Sequence, residues 1–334
     1  MVKVHTHRKV MPHTSEPMLK SSPASLVMFP VKHQDLWGMY KKAVSSFWVA
    51  EEIQAALGAG KDRKDYERLS GAEQRFLDTV LAFFAAADGI VIENCARRFL
   101  AEVQWSEARA FYGFQLAMEN VHSEVYSLLI ASLVPDTRRQ KQLLEATESM
   151  PNVGAKAQWA LRWLDSRRSF AQRLVAFACL EGVAFSAAFA SIFWLKHRGK
   201  GFPALCLANE FIARDEGMHT DFACMLYRKL NTPLSDKDVY SIVQGCVDVE
   251  RQFIADALPD RMVGMNADQM NQYVRFCADR LLRSLGHKAL FGDPNPFSWM
   301  EMLSIGVGKT NFFERQVSEY RMAGDTSISM DADF

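Results

Sequence analysis

Leu174 to Leu195, LVAFACLEGVAFSAAFASIFWL, is a run of 22 residues that carries one charge, Glu181. Its length would let it cross a bilayer, which takes roughly 20 apolar residues. Its Ala, Ser and Gly content and its interior carboxylate oppose that, since an acid at membrane depth costs about 3 kcal/mol. No second comparable span follows. A helix apolar all round belongs inside a large core, so this chain must supply enough other helices to surround it. It does. From about 34 to 312 nearly every segment has helical period: 34–57, 71–100, 104–131, 136–148, 155–165, 168–197, 203–230, 236–257, 266–288 and 297–303. Breaks fall at Pro135, at Pro151, in the 197–203 turn, and at 231–233, 258–260 and 293–296. Strand signals are few. Long helices joined by short turns predict an all-α bundle.

The 334 residues are long enough to bury a sizeable core. Net charge is zero, and without a basic block nucleic acid is excluded as a main partner. Cys95, Cys179, Cys206, Cys224, Cys246 and Cys277 are scattered with no CxxC pair. That opposes a disulfide framework or zinc ribbon and fits a reducing, cytoplasmic setting. The N-terminus lacks the apolar core of a signal peptide, and no membrane partner is expected. Residues 1–30 read as a flexible tail, His5, His7 and His13 included. Residues 31–312 read as the helical domain, and 313–334, small, polar and acidic at the end, as a second flexible tail. GVGKT at 306–310 lacks the first glycine of a phosphate loop and has no strand before it, so nucleotide binding there is not expected.

One short pattern repeats. Glu-x-x-His occurs at Glu119–His122 and Glu216–His219, each inside a long apolar helix. The i, i+3 spacing aims a carboxylate and an imidazole the same way. Mixed oxygen and imidazole donors suit iron or manganese. Dinuclear carboxylate bundles pair two such motifs with one acid from each of two further helices. Glu181 supplies one such acid. The other lies in FFAAADGIVIEN, where Asp88 and Glu93 both qualify and Asp88 has the more apolar surroundings. Six donors exceed a tetrahedral zinc site. Tyr126 follows on the Glu119–His122 face at i+7 from Glu119. Phe185 and Phe189, at i+4 and i+8 from Glu181, and Ile212, at i−4 from Glu216, fall on their helices' acid-bearing faces and are expected to wall the tyrosine from water.

With those residues assembled, the chain resembles the small, radical-generating subunit of class I ribonucleotide reductase, of the eukaryotic and viral type. LWGMYKKAVSSFWVAEEI (36–53), LAFFAAADGIVIEN (81–94), EARAFYGFQLAMENVHSEVYSLLI (107–130), VAFACLEGVAFSAAFASIFWLKHRG (175–199), NEFIARDEGMHTDFA (209–223), GKTNFFE (308–314) and the terminal DADF (331–334) carry the likeness over nearly the whole chain.

The resemblance implies a ferritin-like helical fold and settles the first acid as Asp88. It implies two iron ions per chain, preferred over manganese, held by Asp88, Glu119, His122, Glu181, Glu216 and His219. Tyr126 matches the residue oxidised to a stable radical. Asp215 resembles the acceptor behind His122, Trp48 its neighbour, and Tyr320 the next station toward a separate large subunit, where ribonucleotides are reduced. The tail would dock that subunit through Met330, Asp331, Asp333 and Phe334. A homodimer is expected. Two departures stand out: EIQAALGAGKDRKDYERL, after Trp48, is longer than usual, and the tail reads EYRMAGD. The rival readings are a di-iron oxidase acting on its own substrate and an iron-storage bundle.

Overall fold

A computed structural model describes residues 16–22, 26–163, 167–258, 265–297 and 299. Among them there are fourteen α-helices and no strand. In chain order these are α1 Gln34–Ser45, α2 Ala50–Leu57, α3 Lys61–Glu67, α4 Gly71–Asn94, α5 Leu100–Glu102, α6 Ser106–Leu133, α7 Thr137–Leu144, α8 Ala146–Ser149, α9 Pro151–Trp163, α10 Phe170–Cys179, α11 Ser186–His197, α12 Pro203–Arg228, α13 Asp236–Ala257 and α14 Ala267–Leu285. Two π turns interrupt the ladder, Cys95–Phe99 after α4 and Leu180–Ala184 between α10 and α11. The apolar run spans Phe170–His197 and is 94% buried over its most apolar stretch, with α12, α13 and α14 packed around it. Burying it this way satisfies every greasy face without a membrane.

The long helices start where local chemistry supports a start. Ser70 Oγ accepts from Glu73 N at 3.3 Å while Glu73 Oε2 accepts from Ser70 N at 2.9 Å, a reciprocal cap that opens α4. Ser169 and Gln172 make the same exchange at α10. Pro151, expected as a break, is the first residue of α9, where its missing N–H costs nothing.

Several expected segments are interrupted: the π turn at 95–99 breaks 71–100, and 136–148 divides at Glu145 into α7 and α8. The 34–57 segment is not one helix: it opens at Ser46–Val49, and Trp48 sits in the gap, 3% exposed. The 168–197 segment is not one α-helix either, because the π turn at 180–184 inserts a residue into it. Apolar-all-round sequence carries no phase from which to read such a shift. The stretch expected as helix at 297–303 lies almost entirely outside the described residues.

Residues 16–22, inside the segment read as a tail, are fastened to the body. Met18 is fully buried, and Glu16 accepts from the backbone N–H groups of Asn231 and Thr232, both at 2.8 Å.

The lengthened EIQAALGAGKDRKDYERL segment forms most of α2 and all of α3, and α3 holds the start of α12. Asp62 accepts from Ala204 N and Leu205 N at 3.2 and 2.9 Å, and Asp65 accepts from Phe202 N at 3.0 Å. These carboxylates satisfy amides that a helix start leaves unpaired. They also hold Phe202 at φ +58°, a left-handed conformation that costs a side-chain-bearing residue roughly 1–2 kcal/mol. Gly201, at φ +97°, must be glycine: a Cβ there would stand 2.2 Å from Asp65 Oδ2.

Candidate metal centre

Three helices and one π turn carry the predicted donors, five of which meet at a single buried point, with Asp88 buried in the same core. α4 carries Asp88, α6 carries Glu119 and His122, the Leu180–Ala184 turn carries Glu181, and α12 carries Glu216 and His219. All six are at most 3% exposed. Donor atoms of Glu119, Glu181, Glu216 and His219 lie within 4.8 Å of one another. His122 joins them, its Nδ1 3.3 Å from Glu119 Oε2 and 3.2 Å from Glu216 Oε1. His219 Nδ1 is 3.0 Å from Glu119 Oε1, 3.2 Å from Glu216 Oε2 and 3.9 Å from Glu181 Oε1. Glu119 and Glu216 therefore each approach both imidazoles and occupy the middle. Glu93, the alternative to Asp88, instead pairs with Arg97 at 3.0 Å, with its side chain 55% exposed.

Electrostatics show what such a cluster lacks. Burial, then the charge of Glu119, drives the Asp88 carboxyl well above its usual range. Burial and Glu216 do the same to Glu181. Burial would lower both histidines, but the carboxylates around them outweigh it and raise them. Both oxygens of Asp88, Glu119 Oε2, Glu181 Oε2, Glu216 Oε1 and His122 Nδ1 make no hydrogen bond of proper geometry, the close approaches of His122 Nδ1 included, although native cores leave few such atoms. Four buried carboxylates balanced by two imidazoles carry more acid than base. Two divalent cations would neutralise the four charges and give the orphaned atoms partners. The donors present fit a dinuclear metal site of the iron or manganese kind.

Further side chains tie these donors to the α1–α2 gap and to an aromatic core. His122 Nε2 lies 3.1 Å from Asp215 Oδ2, and the same oxygen accepts from Trp48 Nε1 at 2.7 Å. Arg214 donates to Asp215 Oδ1 and, at 2.7 Å, to Ser46 O, which closes the α1–α2 gap around Trp48. The Trp48 indole stacks over the His122 ring, centroids 5.9 Å apart. Tyr126 is 1% exposed and its hydroxyl has no partner. Burial, then Asp88, lifts that phenol well above its ordinary value, so it stays protonated.

Phe84 lies flat against Tyr126, centroids 4.6 Å apart and planes 4° from parallel. Phe185 and Phe189 pack on Phe84 in turn, at 5.6 and 4.8 Å. Ile212 is fully buried on α12. Two residues of this neighbourhood were missed. Phe84 sits four residues before Asp88, on its face, a spacing that could have found it. Gln115, four residues before Glu119, donates to Glu181 Oε1 at 2.8 Å and reaches Glu119 Oε1 at 3.4 Å. Tyr320, Met330, Asp331, Asp333 and Phe334 lie outside the described residues.

Comparison with known proteins agrees. A family profile described as ribonucleotide reductase, small chain, matches residues 25–296. The ribonucleoside-diphosphate reductase small chain of Nicotiana tabacum is 53% identical over 308 residues, 92% of each chain. That of Variola virus is 48% identical, covering 96% of this chain and all of the viral one. Among solved structures, the ribonucleotide reductase Rnr4 homodimer of Saccharomyces cerevisiae superposes with a TM-score of 0.77 at 35% identity, covering 87% of this chain and 91% of that one.

Proposed function

The chain belongs to the ribonucleotide reductase small-chain family and acts as the small subunit of a ribonucleoside-diphosphate reductase, and from that premise we propose how its residues divide the work. Asp88, Glu119, His122, Glu181, Glu216 and His219 hold two iron ions. When bound, that pair, with oxygen, supplies the oxidant that takes one electron from a phenol. Tyr126 is the phenol. Its missing hydrogen-bond partner, its burial and its aromatic cover support this reading: a radical survives where water and reductants are excluded.

Asp215 accepts from Trp48 and faces His122, so it orients the imidazole and links it to the indole. We assign Trp48 and Asp215 to the path along which the oxidising equivalent leaves, with Tyr320 as the next station. The terminal segment with Met330, Asp331, Asp333 and Phe334 docks the large subunit, where the nucleotide is reduced. We further propose a homodimer, the state named for the yeast structure. The six cysteines are all free and buried, which supports a cytoplasmic protein whose thiols are not the reducing groups.

The observation that carries the reading is the buried cluster of Glu119, Glu181, Glu216 and His219, with His122 against it and orphaned polar atoms in it, in the same core as a buried, partnerless tyrosine. It is tested by mixing the protein, loaded with ferrous iron and oxygen, with a ribonucleotide reductase large subunit and measuring deoxyribonucleotide formation. Product is expected only when both are present. Turnover of an organic substrate by this chain alone would favour the oxidase rival.

A further inference from the structure

Lys156 and Glu250 belong to neither the donor cluster nor the Trp48 path, yet both are buried, at 3% and 0% exposure. Such residues are seldom fully buried unless paired. These are: Lys156 Nζ, from α9, lies 2.5 Å from Glu250 Oε2, from α13. The ammonium also sits 3.3 Å from the centroid of the Phe83 ring and 4.1 Å from that of Phe253. Its remaining contact is the informative one. Nζ donates to the carbonyl of Ala184 at 2.9 Å.

Ala184 ends the π turn that carries Glu181. Within that turn Phe185 N reaches five residues back to Leu180 O, at 3.2 Å. The extra residue rotates Glu181 relative to the α-helices on either side. A π turn is rare and concentrated at functional sites, so it needs support from outside its own ladder. Lys156 gives a charged donor to its last carbonyl, and Ser186 Oγ donates to Val183 O at 2.6 Å. Gln115 holds the Glu181 side chain itself. The backbone is thus fastened from one side and the carboxylate from another.

We propose that Lys156, held by Glu250, is a positioning residue: it pins the π turn and thereby aims Glu181 at the metal centre. This explains why α9 and α13, which bring no donor to the cluster, are tied to it by a buried ion pair. It rests on Glu181 being a metal ligand. The competing reading is a plain core ion pair, and buried pairs are weak evidence for stability on their own.

The test uses the full chain and two variants, Lys156→Met and Glu250→Gln. In the metal-free protein, hydrogen exchange over 180–186 is compared with exchange over 119–126. Manganese(II) binding is then titrated by the paramagnetic resonance of the free ion. Lys156→Met is expected to speed exchange at 180–186 about tenfold while 119–126 is unchanged. It should weaken one of the two manganese sites by about 10–100-fold, as outer partners of metal ligands do, and spare the other. Glu250→Gln should move both readouts the same way by less, and it carries the comparison should Lys156→Met fail to fold. Exchange that speeds equally in both segments, or no change in either, would overturn the tether. A parent chain that binds no pair of ions would overturn the metal reading instead, and the exchange comparison would still decide the tether.

Discussion

Stripped of metal, the protein is expected to weaken as the pH rises above about 4.5, with the histidines adding to the loss above about 6.5, and to recover when a divalent ion is added. Asp88 and Glu181 have ordinary values of 3.8 and 4.5, and burial followed by their acidic neighbours raises both in the folded chain. His122 and His219 start from 6.5 and are raised by the carboxylates around them, against the effect of burial. A raised group binds its proton more tightly when folded. Its contribution is complete below the unfolded value and is lost as the pH climbs through the folded one. Glu119 and Asp215 run the other way. Burial would raise them, but His219 and His122 hold Glu119 down and His122 and Arg214 hold Asp215 down. Their contribution is lost only below about 4.5, outside this window. Between about pH 6 and about pH 8 the two histidines, whose ordinary value falls in that range, are the groups expected to carry the change.

Metal reverses the effect because it binds the deprotonated donors and expels their protons. An ion present at about 1,000 times its dissociation constant adds about 4 kcal/mol. Unfolding curves in chelator and in manganese(II), at about pH 6 and about pH 8, check both halves. The gap between the two curves should widen at the higher pH, and adding the ion should release protons. A metal-free curve flat across this range, or binding without proton release, would contradict the site as drawn.

Replacing Trp48 by Phe should leave two metals bound and a radical formed, yet cut turnover with the large subunit by about 100-fold, and Asp215→Asn should do the same once metal is saturating, after weakening the His122 site by about 10–100-fold. Trp48→Phe removes the indole donor 2.7 Å from Asp215 Oδ2 while keeping an aromatic body against His122 and Phe211. Asp215→Asn removes the charge that faces His122 Nε2 and receives Arg214. The informative quantity is the ratio of turnover to radical. If it falls, the residues serve transfer. Turnover at the parent rate in Trp48→Phe would place the path elsewhere.

The candidate donors were legible because Glu-x-x-His recurs at helical spacing and Glu181 is the one charge in the apolar run. The two Glu-x-x-His spacings and Glu181 needed only the period of the helix, while the choice of Asp88 over Glu93 on α4 rested on apolar surroundings and on the family resemblance. What escaped lay where that period breaks or where partners come from far along the chain. The π turn under Glu181 has no phase signal in a run apolar on every side, so the i+4 argument for Phe185 was made across an inserted residue. The Ser46–Val49 gap, SFWV, carries no glycine or proline to mark it. Asp62 and Asp65 look like surface acids in KDRKDYE, and only the fold brings the start of α12, some 140 residues on, against them. Lys156 and Glu250 are 94 residues apart and show no local motif.

The central claim is that the cluster oxidises Tyr126 and no other residue. Tyr112 offers a built-in comparison, since it too is fully buried with a partnerless hydroxyl. The direct measurement is electron paramagnetic resonance after ferrous iron and oxygen are added to the parent, to Tyr126→Phe and to Tyr112→Phe. The account predicts a tyrosyl signal in the parent and in Tyr112→Phe, and none in Tyr126→Phe, with two irons bound in all three. An undiminished signal in Tyr126→Phe, or two irons and no radical in the parent, would contradict it.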